Sequence, residues 1–214
     1  MNGSKKLTIL VSSTVYGNEE LLDRIFTILT RFGYEVWMSH KGTVPVFSSR
    51  SAFENCMAAT EKCDLFLGLI TPYYGSGKDE DGPSITHQEL EKAIDLNKPR
   101  WFLVHDHVVF ARSLLNNIGY EGKTGRSQLT LEKSEIMEDL RVIDMFEDAA
   151  SLGSKKPVRD RQGNWVQKFS SDDDALLFAT SQFSRYQEVE AFVEENFCDL
   201  PRVSRAIQAK RDRS

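Results

Sequence analysis

The chain has 214 residues, with 28% charged against 40% hydrophobic, which suits one sizeable α/β domain or one domain with a helical appendage. Its formal net charge of −5 gives no overall attraction to nucleic acid or an anionic membrane, so sequence-specific nucleic-acid binding is not expected. No apolar run approaches the roughly 20 residues that span a bilayer, and Met1–Lys6 runs into a short strand without a leader pattern, so a cytoplasmic protein is expected.

The first element is the continuous apolar run at residues 7–11, short enough for a strand buried on both faces. A hydroxyl-rich loop follows at 12–17. Asn18 is placed to cap a helix whose inner side holds Leu21, Leu22, Ile25, Phe26, Ile28, Leu29 and Phe32, and Gly33 ends it. Residues 34–38 read as the second strand and 39–50 as a polar, irregular stretch. A helix starting near Ser51 points Phe53, Cys56, Met57 and Thr60 inward. Residues 64–70 form the third strand, 71–76 turn off its end, and 77–83 make a charged loop.

The next helix opens around Thr86 and runs to about Asn97, where Lys98-Pro99 stops it. Thr86-x-x-Glu89 has the spacing of a capping box, in which the hydroxyl takes the Glu89 amide and the carboxylate reaches back to the Thr86 amide. Residues 100–105 form a fourth strand, 108–117 a helix, 119–128 a mobile glycine-rich loop, and 131–152 a helix whose pattern breaks near Asp139. Residues 154–163 are basic and turn-like. Residues 164–169 alternate as an edge strand. Ser170 or Ser171 then caps a helix with Asp172, Asp173 and Asp174 in its first turn. Residues 171–199 hold eight acidic residues against Arg185, and five basic residues against Asp212 follow from Pro201; both read as a solvated face and a tail.

Alternating strands and helices with short connections mean a parallel sheet covered on both faces, with ligands bound outside the carboxyl ends of its strands. Residues 12–16, 39–47, 71–76 and 105–107 fall at that edge. The loop after the first strand is neither G-x-G-x-x-G nor a Walker A pattern, which excludes a dinucleotide dehydrogenase and an NTPase. No G-x-S-x-G elbow and no H-E-x-x-H occurs. Cys56, Cys63 and Cys198 make no disulfide framework and have no partners at zinc spacing, so they read as small buried residues and no metal is expected. What remains is Glu89, the hydroxyls of Ser12, Ser13, Thr14 and Ser84 with the backbone at Gly75 for phosphate or ribose, and Tyr16, Phe47, Tyr73 and Tyr74 for stacking on a base.

Three stretches carry a resemblance: Leu7-Thr-Ile-Leu-Val-Ser-Ser-Thr-Val-Tyr16, Cys63-Asp-Leu-Phe-Leu-Gly-Leu-Ile-Thr-Pro-Tyr-Tyr-Gly75, and Ser84-Ile-Thr-His-Gln-Glu-Leu-Glu-Lys-Ala93 with Lys98-Pro99. They resemble a bacterial TIR-like family, a domain of unknown function often fused to signalling NTPases. Asp139–Phe146 and Asn164–Phe169 fit as well, so the likeness covers most of residues 5–190. In fold that family is similar to TIR domains and nucleoside 2-deoxyribosyltransferases. The resemblance implies a flavodoxin-like, three-layer α/β sandwich over residues 1–170, with a five-stranded, mainly parallel sheet in the order 2-1-3-4-5. A C-terminal helical extension at 171–214 packs on it or follows it.

The resemblance also implies that Glu89, in its Glu89-Leu90-x-x-Ala93 context, acts on the anomeric carbon of a nucleoside or nucleotide. The TIR pattern has Trp-Cys ahead of the glutamate where this chain has Ile85-Thr86. The transferase pattern has an aspartate where this chain has Pro83, with Asp81 two residues back. The implied function is an N-glycosidase acting on NAD, a substrate rather than a cofactor, in bacterial defence or stress signalling, as a homo-oligomer or with an activating partner. Base exchange between nucleosides, or non-catalytic sensing, are the alternatives. A neutral leaving base needs an acid, for which Asp81, His87, His105 and His107 are the candidates.

Overall fold

The continuous apolar runs form the middle of the sheet. The computed structural model describes residues 6–77, 82–132, 136–152, 165–186, 188 and 189. Within these, β1 (Thr8–Ser12), β3 (Leu65–Ile70) and β4 (Arg100–His105) lie side by side, flanked by β2 (Glu35–Trp37) and β5 (Trp165–Phe169). The order is β2-β1-β3-β4-β5 and all four pairings are parallel. The architecture is therefore the flavodoxin-like sandwich that the alternation of elements predicts, and its sheet is wholly parallel.

The helices are α1 (Glu19–Arg31), α2 (Ala52–Lys62), α3 (Ile85–Asp95), α4 (Asp106–Asn117), α5 (Gly122–Arg126), α6 (Arg141–Ala149) and α7 (Asp172–Phe183). Strand side chains alternate between faces. Leu65, Leu67 and Leu69 meet α1 and α7, packing with Leu22, Ile25, Ala175 and Phe183. Phe66 and Ile70 point the other way, into a second core with Leu90 and Ala93 of α3, Val108 of α4 and Val142 and Ile143 of α6. Gly68 of β3 has no side chain because a Cβ there would stand 2.8 Å from the Phe102 ring.

Several local expectations are corrected. Asn18 precedes α1 without capping it. Its Nδ2 donates instead to the Thr14 and Tyr16 carbonyls and to Thr71 Oγ1 at 3.1 Å, tying two loops together. The inward face of α2 carries Asn55, Ala58, Ala59 and Thr60, so Phe53, Cys56 and Met57 are only half-buried. The face is turned because the Asn55 side chain is needed below the preceding loop, where it bonds the Phe47 amide and the Phe47, Arg50 and Ser51 carbonyls. Residues 119–128, read as a loop, contain α5, pinned by Arg126. Among the described residues, the helix expected over 131–152 is restricted to α6: Leu131 and Ile136 are exposed, so apolar content there does not mark a buried helical face.

Ser171 caps α7 as expected, accepting from the Asp174 amide. α7 packs on the α1 face of the sheet, and Tyr186 beyond it accepts a hydrogen bond from the Leu7 amide at 3.1 Å. Asp81, Asn164, the basic stretch at 154–163, Cys198, and the acidic and basic segments from 190 onward lie outside the described residues. Among the described residues, no helix is long and apolar enough to cross a membrane.

Candidate functional site

The site is built on the start of α3. The capping box expected between Thr86 and Glu89 does not form, because the helix begins two residues earlier than that box requires. Ser84 is the N-cap, fully buried, with its Oγ accepting from the His87 amide at 3.2 Å. Thr86 is then the second helical residue and Glu89 the fifth, beyond the reach of the cap. The Glu89 carboxylate projects sideways instead, to the carboxyl end of β1, and accepts the Ser12 hydroxyl hydrogen at 2.5 Å. The Cys56 thiol, brought in by α2, is the other polar group that acts on it.

Glu89 is 7% exposed. Burial pushes its pKa up to about 7, against the opposing effect of Ser12 and Cys56, which favour the ionised form. Cys56 responds in the other direction. Burial and the adjacent Glu89 charge drive its thiol up to about 12, so Cys56 stays a neutral donor and not a nucleophile. Sequence reading did not find Cys56, whose approach to Glu89 is made only by the packing of α2 on α3.

Above this pair, the loop after β1 meets the loop after β3. Gly75 has φ +78° and lies so close to Thr14 that a Cβ would stand 2.8 Å from its Oγ1. Tyr16, 69% exposed, and Tyr73 pack edge to face at 5.4 Å between ring centroids. Gly17, at φ +75°, makes room for the Tyr73 ring. Ser13 turns its hydroxyl to the Thr14 carbonyl at 2.9 Å. The structure thus gathers Ser12, Thr14, Tyr16, Tyr73, Gly75 and Glu89 along two abutting loops and the helix beside them.

The remaining candidates are placed differently. Tyr74 is buried and does not present a stacking face: its hydroxyl meets His87 Nδ1 at 2.8 Å, its amide donates to Glu138, and the Arg141 guanidinium covers its ring at 4.4 Å. Ser84 is occupied by its cap. Phe47 lies on the loop held by Asn55, with the Arg50 and Lys62 cations over its ring at 4.8 and 4.5 Å. His87 leaves α3 on a different side from Glu89 and its Nε2 lies 3.1 Å from Asp148 Oδ2. His105 is the N-cap of α4, its Nδ1 accepting from the His107 amide; burial and the neighbouring His107 hold its pKa below the usual value. Asp81 lies outside the described residues.

The sequence pattern of one family, described as a domain of unknown function (DUF4062), matches residues 8–174, which takes in all five strands and Ser12, Cys56 and Glu89. No curated protein matches the chain.

Proposed function

This chain belongs to the DUF4062 family, and from that premise we propose that it is an N-glycosidase hydrolysing the ribosyl bond of NAD or a related nucleotide, with Glu89 facing the reacting sugar. The observation that carries the reading is a buried carboxylate at the carboxyl edge of a parallel sheet, bonded to the Ser12 hydroxyl at 2.5 Å. Such edges are where open α/β sheets bind ligands.

Breaking an N-glycosidic bond develops positive charge at C1′ and the ring oxygen, as glycoside hydrolysis does. A carboxylate fixed beside that carbon, or bonded to the ribose hydroxyls, stabilises the charge with little reorganisation. In NAD the C1′–N bond breaks with its electron pair going to the pyridinium nitrogen, so nicotinamide leaves neutral and no acid is required. Water then adds to C1′ and releases a proton. A bound cationic pyridinium also favours the ionised form of Glu89. Ser12 positions the carboxylate, and Tyr16 and Tyr73, on the loops after β1 and β3, supply ring surface. Defence or stress signalling in a bacterial cytoplasm, with self-association or a partner as the trigger, is the setting we propose with it.

The test is base release from NAD, nucleosides and deoxynucleosides, followed by chromatography with and without an acceptor base. Wild type is expected to release nicotinamide, and Glu89→Gln to lose at least about 100-fold, the scale of one electrostatic stabiliser. Release that is unchanged in Glu89→Gln sinks the assignment, and transfer to the acceptor base redirects it to base exchange. A second reading, a nucleotide sensor without turnover, is favoured by the 7% exposure of Glu89, whose polar partners, Ser12 and Cys56, lie within the protein. It predicts nucleotide binding without base release by either protein.

A further inference from the structure

We propose that the chain carries a divalent transition-metal site of the zinc class, made by His87 and Glu91 of α3 and Asp148 of α6. It lies apart from the Ser12–Glu89 pair and shares no ligand with it. Sequence spacing did not disclose it, because Asp148 arrives from 57 residues beyond Glu91 and only the packing of α6 on α3 completes the set.

The geometry is that of a chelate. His87 and Glu91 are one helical turn apart and project along one face. His87 Nε2 lies 3.1 Å from Asp148 Oδ2 and 3.7 Å from Glu91 Oε1, and the three ligand atoms all lie within 4.8 Å of one another. A tetrahedral zinc ion with bonds of about 2.05 Å separates neighbouring ligand atoms by about 3.3 Å. The observed edges bracket that value, so an ion fits with small side-chain movements.

The imidazole is also held as a metal-bound histidine is. Its side chain is buried, and Nδ1 is 2.8 Å from the Tyr74 hydroxyl. That hydroxyl both donates and accepts, so it supports the tautomer with hydrogen on Nδ1 and a lone pair on Nε2. Such a partner fixes the orientation and tautomer of the ring. Glu91, half-exposed, leaves water an approach to the fourth position. Lys123 Nζ, 3.1 Å from the same Asp148 oxygen and itself largely exposed, is the competing cation and moves out when the metal enters. Among the described residues, the other cluster of this kind, His105, Asp106 and His107, is a run of consecutive residues whose His105 Nδ1 is already used to cap α4.

The experiment is calorimetric titration of the chelator-treated full chain with Zn2+, with Co2+ absorption to report geometry. One equivalent is expected, with a tetrahedral cobalt spectrum. His87→Ala and Asp148→Asn are expected to abolish binding, and Tyr74→Phe to weaken it about 10-fold or more. Lys123→Met is expected to tighten it, since it removes the competing ammonium, whereas Glu89→Gln and His107→Ala leave it unchanged. Absence of binding by the folded wild type overturns the proposal. So does binding that survives Glu91→Gln and Asp148→Asn together, or that His107→Ala removes. Tightening by Lys123→Met is the outcome a simple His87–Asp148 hydrogen bond does not produce.

Discussion

Glu89 is a carboxyl group placed where ionisation is costly. Its pKa is about 7 in the folded chain, against an ordinary value of 4.5. Below pH 4.5 it is protonated in both folded and unfolded states. Between pH 4.5 and 7 the folded state holds a proton that the unfolded chain has lost, so folding stability falls as pH rises across that window. The loss amounts to about 3 kcal/mol, complete above pH 7. Glu89→Gln removes the titrating group and this slope with it. Urea unfolding at pH 5 and pH 8 in a chelating buffer is expected to show wild type losing stability relative to Glu89→Gln by most of that amount. An equal difference at the two pH values means the carboxyl is solvated. An enzyme that needs Glu89 ionised would then be most stable where it is least active.

At the scale of elements, α5 shows how a stretch rich in glycine becomes ordered. Gly122, Gly125 and the polar residues between them offer no apolar face. Arg126, 3% exposed, supplies the anchor: its guanidinium bonds Asp144 Oδ1 at 2.5 Å and Glu147 Oε2 at 2.6 Å, while Arg112 Nε holds Glu147 Oε1 at 2.8 Å. α4, α5 and α6 are clamped together through charge. Removing one partner from a buried ion cluster leaves the others unpaired, so Arg126→Ala is expected to destabilise by about 3–5 kcal/mol. Arg126→Ala together with Asp144→Asn and Glu147→Gln is expected to recover part of that. Chemical denaturation of the two variants checks it; an additive further loss in the triple variant contradicts the clamp.

For the whole molecule, burial sets a gradient. β1 and β3 are buried end to end, β4 is buried at Phe102–Val104, β2 has three residues, and β5 is buried only at Phe169, with Trp165 exposed. Amide hydrogen exchange is expected to be slowest in β1, β3 and β4, at the free energy of global unfolding, and faster in β2 and β5. The same gradient explains what sequence reading reached. The buried strands are continuous apolar runs between turn residues, so their order along the chain and the α/β alternation are written locally. The positions of helix faces are not: Asn55 turns α2 to satisfy a loop, and no apolar pattern announces that. The loops at the carboxyl edge, with Ser12, Thr14, Gly75 and Glu89, were legible because topology alone puts them there. Cys56 beside Glu89, Asp148 beside His87, and the burial of Tyr74 depend on how helices from distant parts of the chain pack. Ser84 and Thr86 compete for the role of cap with similar chemistry, and only the backbone decides between them.

The helix α3 presents Glu89 to β1 and α2, and two residues earlier presents His87 to Tyr74 and α6. One rod therefore carries the central residue of both proposed sites. A displacement of the helix that suited an occupant on one side would also move the residue on the other. Linkage makes the exchange even-handed: the factor by which a nucleotide beside Glu89 changes the affinity for a cation at His87 is the factor by which that cation changes the affinity for the nucleotide.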